Sequence, residues 1–487
     1  MTIGRIPASP DIAPAVHRRR RIAANFLGIA ITSGVNMVAG LFISIYVRRT
    51  LGPVAVGELS WNAAVLAYLA LVANPGLQII GQREVARSPE AAERLASLIL
   101  TIQALLCLAT YILILLMTAL QLRGPEISTL LALQGIALFF TALDIGWVFQ
   151  GRERMVAPAV ATLFFNLIQF PALIAFVHGP EDIFVFAIIN LPFAAANLIY
   201  RFWYLHRHGM LDVGKLRPKF AGAGKILSES WPFALSQGAI VILYSCDTII
   251  LGFTHGDDMV GQYASAYKLM LVATVASGAL CSAYFPAVAR VHDAPTAARQ
   301  VTGEFTSLMV WMGLPIAALG WACGRHVVGL MYGPEFAESG VYFEWLCLNV
   351  ALIFINLSLA TPLAAWGMQR LHFKITGSAA AVNLVLNLAL VPLYGAWAAI
   401  ATTIAAELIA AIALVLVRRR MAIGWSPLRP LLLPPLICST AVAAAIAALP
   451  PSLDSYWWLE CLGGAIVLGG SLYLFERRII SAAIKLL

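Results

Sequence analysis

The 487-residue sequence contains very little charge. Only 11% of its residues are Asp, Glu, Lys or Arg, whereas a soluble globular protein has about 25%. Apolar residues make up 61% of the chain. This leaves too few polar side chains to cover the surface of a water-soluble fold. The composition excludes a soluble enzyme and indicates an integral membrane protein.

Metal, redox and extramembrane catalytic sites have little support in the sequence. The seven cysteines lie in apolar segments without a CxxC pair, so we expect neither a disulfide framework nor a zinc site. None of the eight histidines lies in the middle of an apolar stretch, which disfavours a haem or di-metal membrane enzyme. The longest connection, residues 206–226, is too short for a catalytic domain outside the membrane.

Long apolar stretches alternate with charged turns that contain Pro or Gly. A backbone in hydrocarbon must satisfy its own hydrogen bonds, and a helix needs about 20 apolar residues to cross the membrane. We therefore predict fourteen transmembrane helices. They lie at 22–46, 55–82, 95–120, 127–150, 156–177, 183–205, 227–253, 260–287, 302–323, 341–366, 372–393, 396–417, 428–449 and 456–475.

Basic residues are distributed unequally between the two sides of this arrangement. With the N-terminus inside, 27 of the 32 Lys and Arg residues fall in cytoplasmic segments. Arg48, Arg49, Arg123 and Arg325 fall on the other side, and Lys268 falls within a span. The positive-inside rule then predicts that both termini are cytoplasmic. Attraction to anionic lipid explains the net charge of +8 without nucleic acid as a partner.

A short internal repeat divides the chain. The turns TLGPVAVGEL (50–59) and THGDDMVGQY (254–263) share a Thr, two Gly and a Val at matching positions. Six helices separate them, so the two copies run in the same direction, which is an established transporter plan. The predicted organisation comprises a basic cytoplasmic tail at 1–21, an N-lobe at 22–206, a basic cytoplasmic linker at 207–226, a C-lobe at 227–418, two further helices within 428–475 and a cytoplasmic tail at 476–487.

Eight short motifs occur along the chain, and their order is more specific than any one of them. They are YVRRTLGPVAVGEL (46–59), GQREVAR (81–87), DIGWVFQGRERM (144–155), SWPFALSQ (230–237), CDTIILG (246–252), VGQYASAYKL (260–269), MYGPEF (331–336) and NLVLNLALVPLYGAWAA (383–399). In order and spacing they resemble the polysaccharide transporter or oligosaccharide flippase family, O-antigen flippases included. This family lies in the multidrug/oligosaccharidyl-lipid/polysaccharide (MOP) exporter superfamily.

The resemblance implies an all-α, MATE-like fold in which two six-helix lobes work by alternating access. The implied cargo is an undecaprenyl-pyrophosphate-linked oligosaccharide, flipped from the cytoplasmic to the outer leaflet of the bacterial cytoplasmic membrane for exopolysaccharide, capsule or O-antigen synthesis. Membrane lipid, and the polymerase and glycosyltransferases of the same pathway, are the implied partners. Lipid II flippases carry cavity arginines in helices 1, 2 and 8, whereas only Lys268 matches here, which argues against lipid II as the cargo.

Polar residues within the predicted spans are the candidate substrate-binding groups. Lys268 in span 8 would supply positive charge to the pyrophosphate, and Asp247 in span 7 lies at nearly the same depth. A fixed Asp247–Lys268 ion pair that orients two helices is the structural alternative. Asn36, Asn383 and Asn387 are candidates for hydrogen bonds to sugar hydroxyls, or for joining helices together.

Carboxyl groups at membrane depth are the candidates for ion coupling. Glu407, Asp144 and Asp247 would bind a proton or sodium ion, and the alternative is a protonated, hydrogen-bonded packing role. We expect no catalytic residue, no metal site and no cofactor.

Two other functions remain open at this stage. A MATE-like, cation-coupled multidrug exporter would have a cavity dominated by aromatic and acidic groups, which the three carboxyl residues would fit. A polytopic glycosyltransferase, polymerase or ligase would need a catalytic loop outside the membrane. The longest outward loop, 324–340, offers only one Arg, one His and two Glu among its charged or titratable groups. The motifs and Lys268 favour the flippase.

Overall fold

The computed structural model describes residues 12–421, 428–448 and 457–486. The ends of the predicted tails, 1–11 and 487, lie outside the described residues, as do residues 422–427 and 449–456, which include the ends of the last two predicted spans at 449 and 456. The described residues form helices and turns, with no strand among them.

Fifteen α-helices occur in the described chain. They are α1 (Ile12–Ala73), α2 (Leu77–Arg87), α3 (Ala92–Ala119), α4 (Pro125–Gly135), α5 (Ala137–Ala142), α6 (Gly146–Gly151), α7 (Val156–Phe176), α8 (Ile183–Arg207), α9 (Ala223–Thr254), α10 (Asp257–Arg290), α11 (Pro295–Tyr332), α12 (Ala337–Ala365), α13 (Gln369–Met421), α14 (Leu428–Ala447) and α15 (Trp457–Leu486).

Ten helical stretches among the described residues are long and apolar enough to cross a membrane. Gly34–Ala73 contains parts of two predicted spans and Gln369–Arg420 contains two, and in each stretch the spans meet at a bend, at Gly52 in α1 and at Gly395 in α13. Both glycines have positive φ angles, 74° and 59°, which residues with a side chain rarely adopt. The predicted all-helical membrane fold is confirmed, and the count of fourteen helices stays a prediction.

Two predicted spans are interrupted, and the prediction of continuous helices is wrong there. Span 2 breaks at residues 74–76, because Pro75 has no N–H to donate and Gly76 has a φ of 77°. Span 4 is divided into α4, α5 and α6, with a non-helical turn at residues 143–145. Asp144, one of the predicted site residues, lies in this second break.

The chain folds into two compact units. The first contains the described residues up to Thr50 together with Tyr68–Leu235, and the second contains Leu51–Ala67 together with the described residues from Ser236 onward. The beginning of predicted span 2 thus belongs to the second unit, and linker 207–226 belongs to the first. The predicted lobe boundaries stay a prediction.

Each unit has its own apolar packing. In the first, α2 packs on α6 and α3, and the buried side chains include Ile80, Ile99 and Trp147. In the second, α12 packs against α10, α11 and α13. Leu359 and Leu363 of α12 pack with Leu414 of α13. Lipid gives no hydrophobic reason for helices to associate, so this close packing and the polar contacts described below hold each unit together.

The repeated turn has the same backbone conformation in both copies. Gly52 has φ 74° and ψ 174°, and Gly256 has φ 86° and ψ 177°. Five residues later, Gly57 and Gly261 pack against each other. A Cβ added to Gly57 would overlap the Asp257 carbonyl, and one added to Gly261 would overlap the Pro53 carbonyl. The repeat therefore produces a reciprocal backbone contact that requires glycine on both sides.

Cys323 of α11 forms a disulfide with Cys461 of α15, a single pair that the sequence analysis did not anticipate. The two cysteines are 138 residues apart in the sequence, and their Cα atoms are 6.8 Å apart. The pairing depends on the packing of α11 against α15, which no local spacing of cysteines could indicate.

The Gly57–Gly261 contact predicts a position-specific effect of alanine. Gly57→Ala and Gly261→Ala should each lower the free energy of unfolding by about 1–3 kcal/mol, because the added methyl group overlaps backbone atoms. Gly278→Ala in α10 is the matched control, since nothing lies within 4 Å of its Cβ position. Thermal unfolding in detergent measures the difference. Equal melting temperatures for all three variants would contradict the reciprocal contact.

Candidate functional sites

The first unit contains an ion pair between two of its helical segments. Asp144 lies in the break between α5 and α6, and Arg201 lies in the last third of α8. Arg201 Nη1 is 2.5 Å from Asp144 Oδ2, and the two side chains are 20% and 27% exposed. Arg201 Nε also donates to Asn197 Oδ1 at 3.0 Å, and Nη2 donates to Thr162 Oγ1 at 3.3 Å. The guanidinium group is therefore held in place from three sides.

The break at Asp144 frees backbone groups that neighbouring residues satisfy. The Gly146 N–H donates to Asp144 Oδ1 at 3.1 Å. Gln78 Nε2 donates to the carbonyl oxygens of Asp144 at 3.3 Å and Thr141 at 3.4 Å. Gln78 is the second residue of α2, the helix that follows the other break at residues 74–76. The two interrupted spans therefore support each other, as is required of non-helical backbone at membrane depth.

Asn36 makes contacts between helices in the first unit. Its Nδ2 donates to the Ala159 carbonyl at 3.3 Å, and its Oδ1 accepts from Asn166 Nδ2 at 3.0 Å. Both partners lie in α7. This is the arrangement expected of an asparagine that joins helices, the alternative kept open above.

The second unit contains a buried polar cluster formed by α9 and both halves of α13. Asn387 Nδ2 donates to Asn383 Oδ1 at 3.0 Å and to Cys246 Sγ at 3.3 Å. Thr402 Oγ1 donates to Asn387 Oδ1 at 2.6 Å. Both asparagines are fully buried. The i, i+4 spacing places them on one face of α13, and the bend at Gly395 brings Thr402 back to them.

Asp247 lies beside this cluster and is 1% exposed. Its carboxylate accepts hydrogen bonds from the Tyr263 hydroxyl and, at 2.7 Å, from the Thr248 N–H. The Lys268 side chain is exposed on α10. The Asp247 carboxylate therefore bonds to Tyr263, and the Asp247–Lys268 ion pair considered in the sequence analysis stays a prediction.

Glu407 is 8% exposed and bonds to Asn356 of α12. Asn356 Nδ2 donates to Glu407 Oε2 at 2.6 Å and to the Glu407 carbonyl at 2.9 Å. Both residues line a cavity of about 230 Å³ within the second unit, together with Tyr244 and His372. Glu407 is thus a buried acidic group with space beside it.

Aromatic side chains connect the two buried carboxyl groups of the second unit. The ring of Tyr263, which bonds Asp247, has its centroid 5.7 Å from that of Tyr267. Tyr267 is 6.4 Å from Tyr244, which lines the cavity at Glu407. Three buried polar atoms of this region have no hydrogen-bond partner in the described structure: Tyr267 Oη, Asn356 Oδ1 and Asn383 Nδ2. Unpaired buried polar atoms are rare, and two of these three are oxygens that can face a small cation.

The structure therefore brings Asp247, Asn383, Asn387 and Glu407 into one region of the second unit. Asp144 and Asn36 lie in the first unit, in separate contacts. Sequence reasoning missed Arg201, which the span boundaries placed close to the cytoplasmic end, and it missed Tyr263. Opposite charges at similar depth in spans 4 and 6 were the available signal for Arg201. Among the described residues, no group of three His, Cys, Asp or Glu side chains could hold a metal ion.

A family comparison decides the classification of this fold. The family model described as "Polysaccharide biosynthesis protein" matches residues 22–292, more than half of the chain. The chain belongs to this family. The predicted family resemblance is confirmed.

Relatives and solved structures agree with this family. The "Putative O-antigen transporter" of Shigella dysenteriae is 25% identical over 398 residues, which cover 79% of this chain and 97% of that protein. The "Capsular polysaccharide biosynthesis protein CapF" of Staphylococcus aureus is 19% identical, covering 60% of this chain and 74% of that protein. Among solved structures, the lipid II flippase MurJ in an inward closed conformation has a TM-score of 0.75 at 13% identity, covering 93% of this chain and 99% of that chain.

An inward-facing MATE-family multidrug transporter of the MOP superfamily also shares the fold. Its TM-score is 0.61 at 14% identity, covering 85% of this chain and 95% of that chain. At these identities the solved structures establish the fold alone, and they confirm the predicted MOP-type architecture. The chain is a multi-pass membrane protein.

The Asp144–Arg201 pair predicts coupled effects of substitution. Asp144→Ala and Arg201→Ala should each destabilise the first unit, because each leaves a partly buried charge without its partner. In the double variant the two losses should be non-additive by about 0.5–3 kcal/mol. Thermal unfolding of the three variants measures the coupling. The exposed Asp212–Lys215 pair is the control, with an expected coupling below about 1 kcal/mol. Additive losses of stability at Asp144 and Arg201 would contradict the ion pair.

Proposed function

We propose that the protein flips a polyprenyl-pyrophosphate-linked oligosaccharide from the cytoplasmic to the outer leaflet during synthesis of a cell-surface polysaccharide. The observation that carries this proposal is the match to nearly the full length of the O-antigen transporter relative. Family membership and the MOP-type fold support it. We infer that the protein transports its lipid-linked substrate without catalysing a reaction on it.

The polar residues of the spans support transport of an anionic head group. A charged side chain at membrane depth costs several kcal/mol, about 2.5–3.5 on insertion scales, so it is retained where it faces a partner or a polar cavity. Lys268 has an exposed side chain and would meet the pyrophosphate as that group crosses. Alternating access of the two predicted lobes would present this lysine to one leaflet at a time.

Asp247 and Glu407 are the groups that we propose for ion coupling. Both are buried among hydrogen-bonding side chains, and Glu407 has a cavity beside it. Protonation of Glu407, or binding of sodium between its carboxylate and the unpaired Asn356 Oδ1, would change the charge of the second unit. Such a change can favour one conformation of a transporter over another.

The proposed location is the bacterial cytoplasmic membrane, with both termini in the cytoplasm. The Cys323–Cys461 disulfide supports this orientation, because both cysteines lie near the predicted outer ends of their spans and disulfides persist in the periplasm. In this location the polymerase and glycosyltransferases of the same pathway would supply and consume the transported lipid.

A cation-coupled multidrug exporter is the second candidate. The fold shared with MATE transporters favours it, as do the buried carboxyl groups and tyrosines of the second unit. The family match favours the flippase instead, since it concerns polysaccharide biosynthesis.

Gene deletion distinguishes these two functions. A strain that lacks the flippase should lose its surface polysaccharide and accumulate the lipid-linked saccharide on the inner leaflet. Extraction and mass spectrometry of that lipid would also identify the sugar repeat. Normal polysaccharide together with increased sensitivity to cationic dyes would support the exporter instead.

We expect the Lys268→Ala variant to fold and to insert into the membrane but to lose transport. Removing the charge should reduce export by about fivefold or more, since one basic group near a lipid phosphate contributes about 1 kcal/mol. Surface polysaccharide in a complemented deletion strain measures the effect, with membrane content of the protein measured in parallel. Lys374→Ala, at an exposed position in α13, is the control. Unchanged export would remove Lys268 from the mechanism.

Glu407→Gln tests the coupling proposal. The amide keeps the shape and can still bond Asn356, but it cannot carry a negative charge. We expect a proton or sodium gradient to change transport by the wild-type protein by about 5–150-fold, as for a coupled site. In Glu407→Gln this dependence on the gradient should disappear. Glu181→Gln, at an exposed turn, is the control. Retained gradient dependence in Glu407→Gln would contradict the role of this residue.

A further inference from the structure

A second cavity, of about 610 Å³, lies in the first unit and contains none of the site residues described above. The end of α2, the start of α3, linker residues 219–222 and the start of α9 border it. Two candidate membrane spans, Pro89–Ala119 and Ala223–Thr254, begin beside it. The cavity is therefore at the boundary of the apolar layer, which is the depth of lipid phosphate groups.

Charged side chains of one predominant sign line this cavity. Five cationic groups and two carboxylates leave three positive charges in excess: Arg83, Arg87, Arg94, Lys219, Lys225, Glu84 and Glu229.

The two carboxylates are paired with only two of the cations. Glu84 Oε1 is 3.0 Å from Arg83 Nε and 3.3 Å from Arg87 Nη1. Glu229 Oε2 is 3.1 Å from Arg83 Nη2. Arg83 is thus shared between both acids. The remaining cations are Arg94, Lys219 and Lys225, which form no ion pair with any residue that the structure describes.

The linker is bound to α3 in a way that places Lys219 at the cavity. The backbone N–H of Arg217 donates to Ser97 Oγ at 3.3 Å, and that of Lys219 donates to Thr101 Oγ1 at 3.1 Å. Ser97 and Thr101 are four residues apart, so they lie on one face of α3. These bonds fix the linker backbone, and Lys219 keeps its ammonium group available.

Part of the cavity lining is apolar. Ile80, Leu95, Leu98 and Ile226 line it together with the charged groups, and each is less than 9% exposed. A lining that combines positive charge with apolar side chains suits an anion that carries an apolar chain. A free inorganic anion would make no use of the apolar part.

We propose that this cavity binds the phosphate group of a membrane lipid. Arg87 and Arg94 can each offer two parallel N–H groups to phosphate oxygens, and Lys219 and Lys225 add charge. Basic pockets beside membrane helices bind lipid head groups in this way. An acidic phospholipid and a polyprenyl pyrophosphate share this chemistry, and the experiment separates them. Binding here does not require the protein to transport that lipid, so this proposal and the flippase proposal can fail independently.

The test uses the full-length protein in a neutral detergent. It is titrated separately with short-chain phosphatidylglycerol, farnesyl pyrophosphate, short-chain phosphatidylcholine and inorganic pyrophosphate, and binding is followed as a thermal shift and by equilibrium titration. We expect saturable binding of phosphatidylglycerol or farnesyl pyrophosphate that weakens with salt. The one that binds more tightly identifies the source of the phosphate.

Matched variants assign the binding to the cavity. Lys219→Gln with Lys225→Gln should weaken binding roughly 30-fold, since each charge contributes about fivefold. Replacing the same two residues with Arg should preserve it. Lys215→Gln with Arg217→Gln removes the same charge from the same linker outside the cavity and should leave the affinity unchanged.

Three results would overturn the proposal. They are equal weakening by both glutamine pairs, binding of neither anionic lipid, and binding of inorganic pyrophosphate as tight as that of the lipids. Equal melting temperatures of the unliganded variants confirm that each comparison concerns binding and not folding.

Discussion

Hydrocarbon offers no partner to a backbone N–H or C=O group, and the rest of this structure depends on that constraint. It forces the described chain into helices and makes every interruption of a helix costly. The interruption beside Asp144 persists because Gln78 donates to the freed carbonyl groups and the Asp144 carboxylate accepts from Gly146. Arg201 then balances the charge of that carboxylate. A polar network that connects three helical segments thus stabilises this one local break.

The same constraint organises the second unit, where polar side chains bond to one another instead of to water. Asn383, Asn387 and Thr402 form a chain of hydrogen bonds that closes across the bend at Gly395. Asp247 and Glu407 each bond to a neutral side chain, Asp247 to Tyr263 and Glu407 to Asn356. A carboxyl group bonded to neutral partners can gain or lose a proton without breaking a salt bridge. For this reason the ion-coupling proposal concerns the second unit and not the paired Asp144 of the first.

Composition and periodicity were sufficient for the class of fold, because the cost of exposing the backbone to lipid acts on every residue of a span. The internal repeat could also be recognised in the sequence, because both turns need a glycine, Gly52 or Gly256, for the same positive φ. The hydrogen-bond partners of individual side chains were harder to predict from the sequence. Tyr263 and Tyr267, four residues apart, share the face of α10 that meets α9, whereas Lys268 is one residue further and points about 100° away around the helix. Depth alone could not make that distinction. The Cys323–Cys461 pairing and the cavity beside the linker depend on tertiary packing, which leaves no trace in local spacing.

The most direct test of the account measures movement of lipid between leaflets by the purified protein. The protein would be reconstituted into vesicles that contain a polyprenyl-pyrophosphate-linked oligosaccharide, and the sugar exposed on each leaflet would be measured with a membrane-impermeant lectin or glycosidase. The account predicts that glycolipid moves between leaflets faster in vesicles that contain the protein than in protein-free vesicles, and that Lys268→Ala slows this transfer. Vesicles that exchange no glycolipid but accumulate a cationic dye in response to an ion gradient would contradict it.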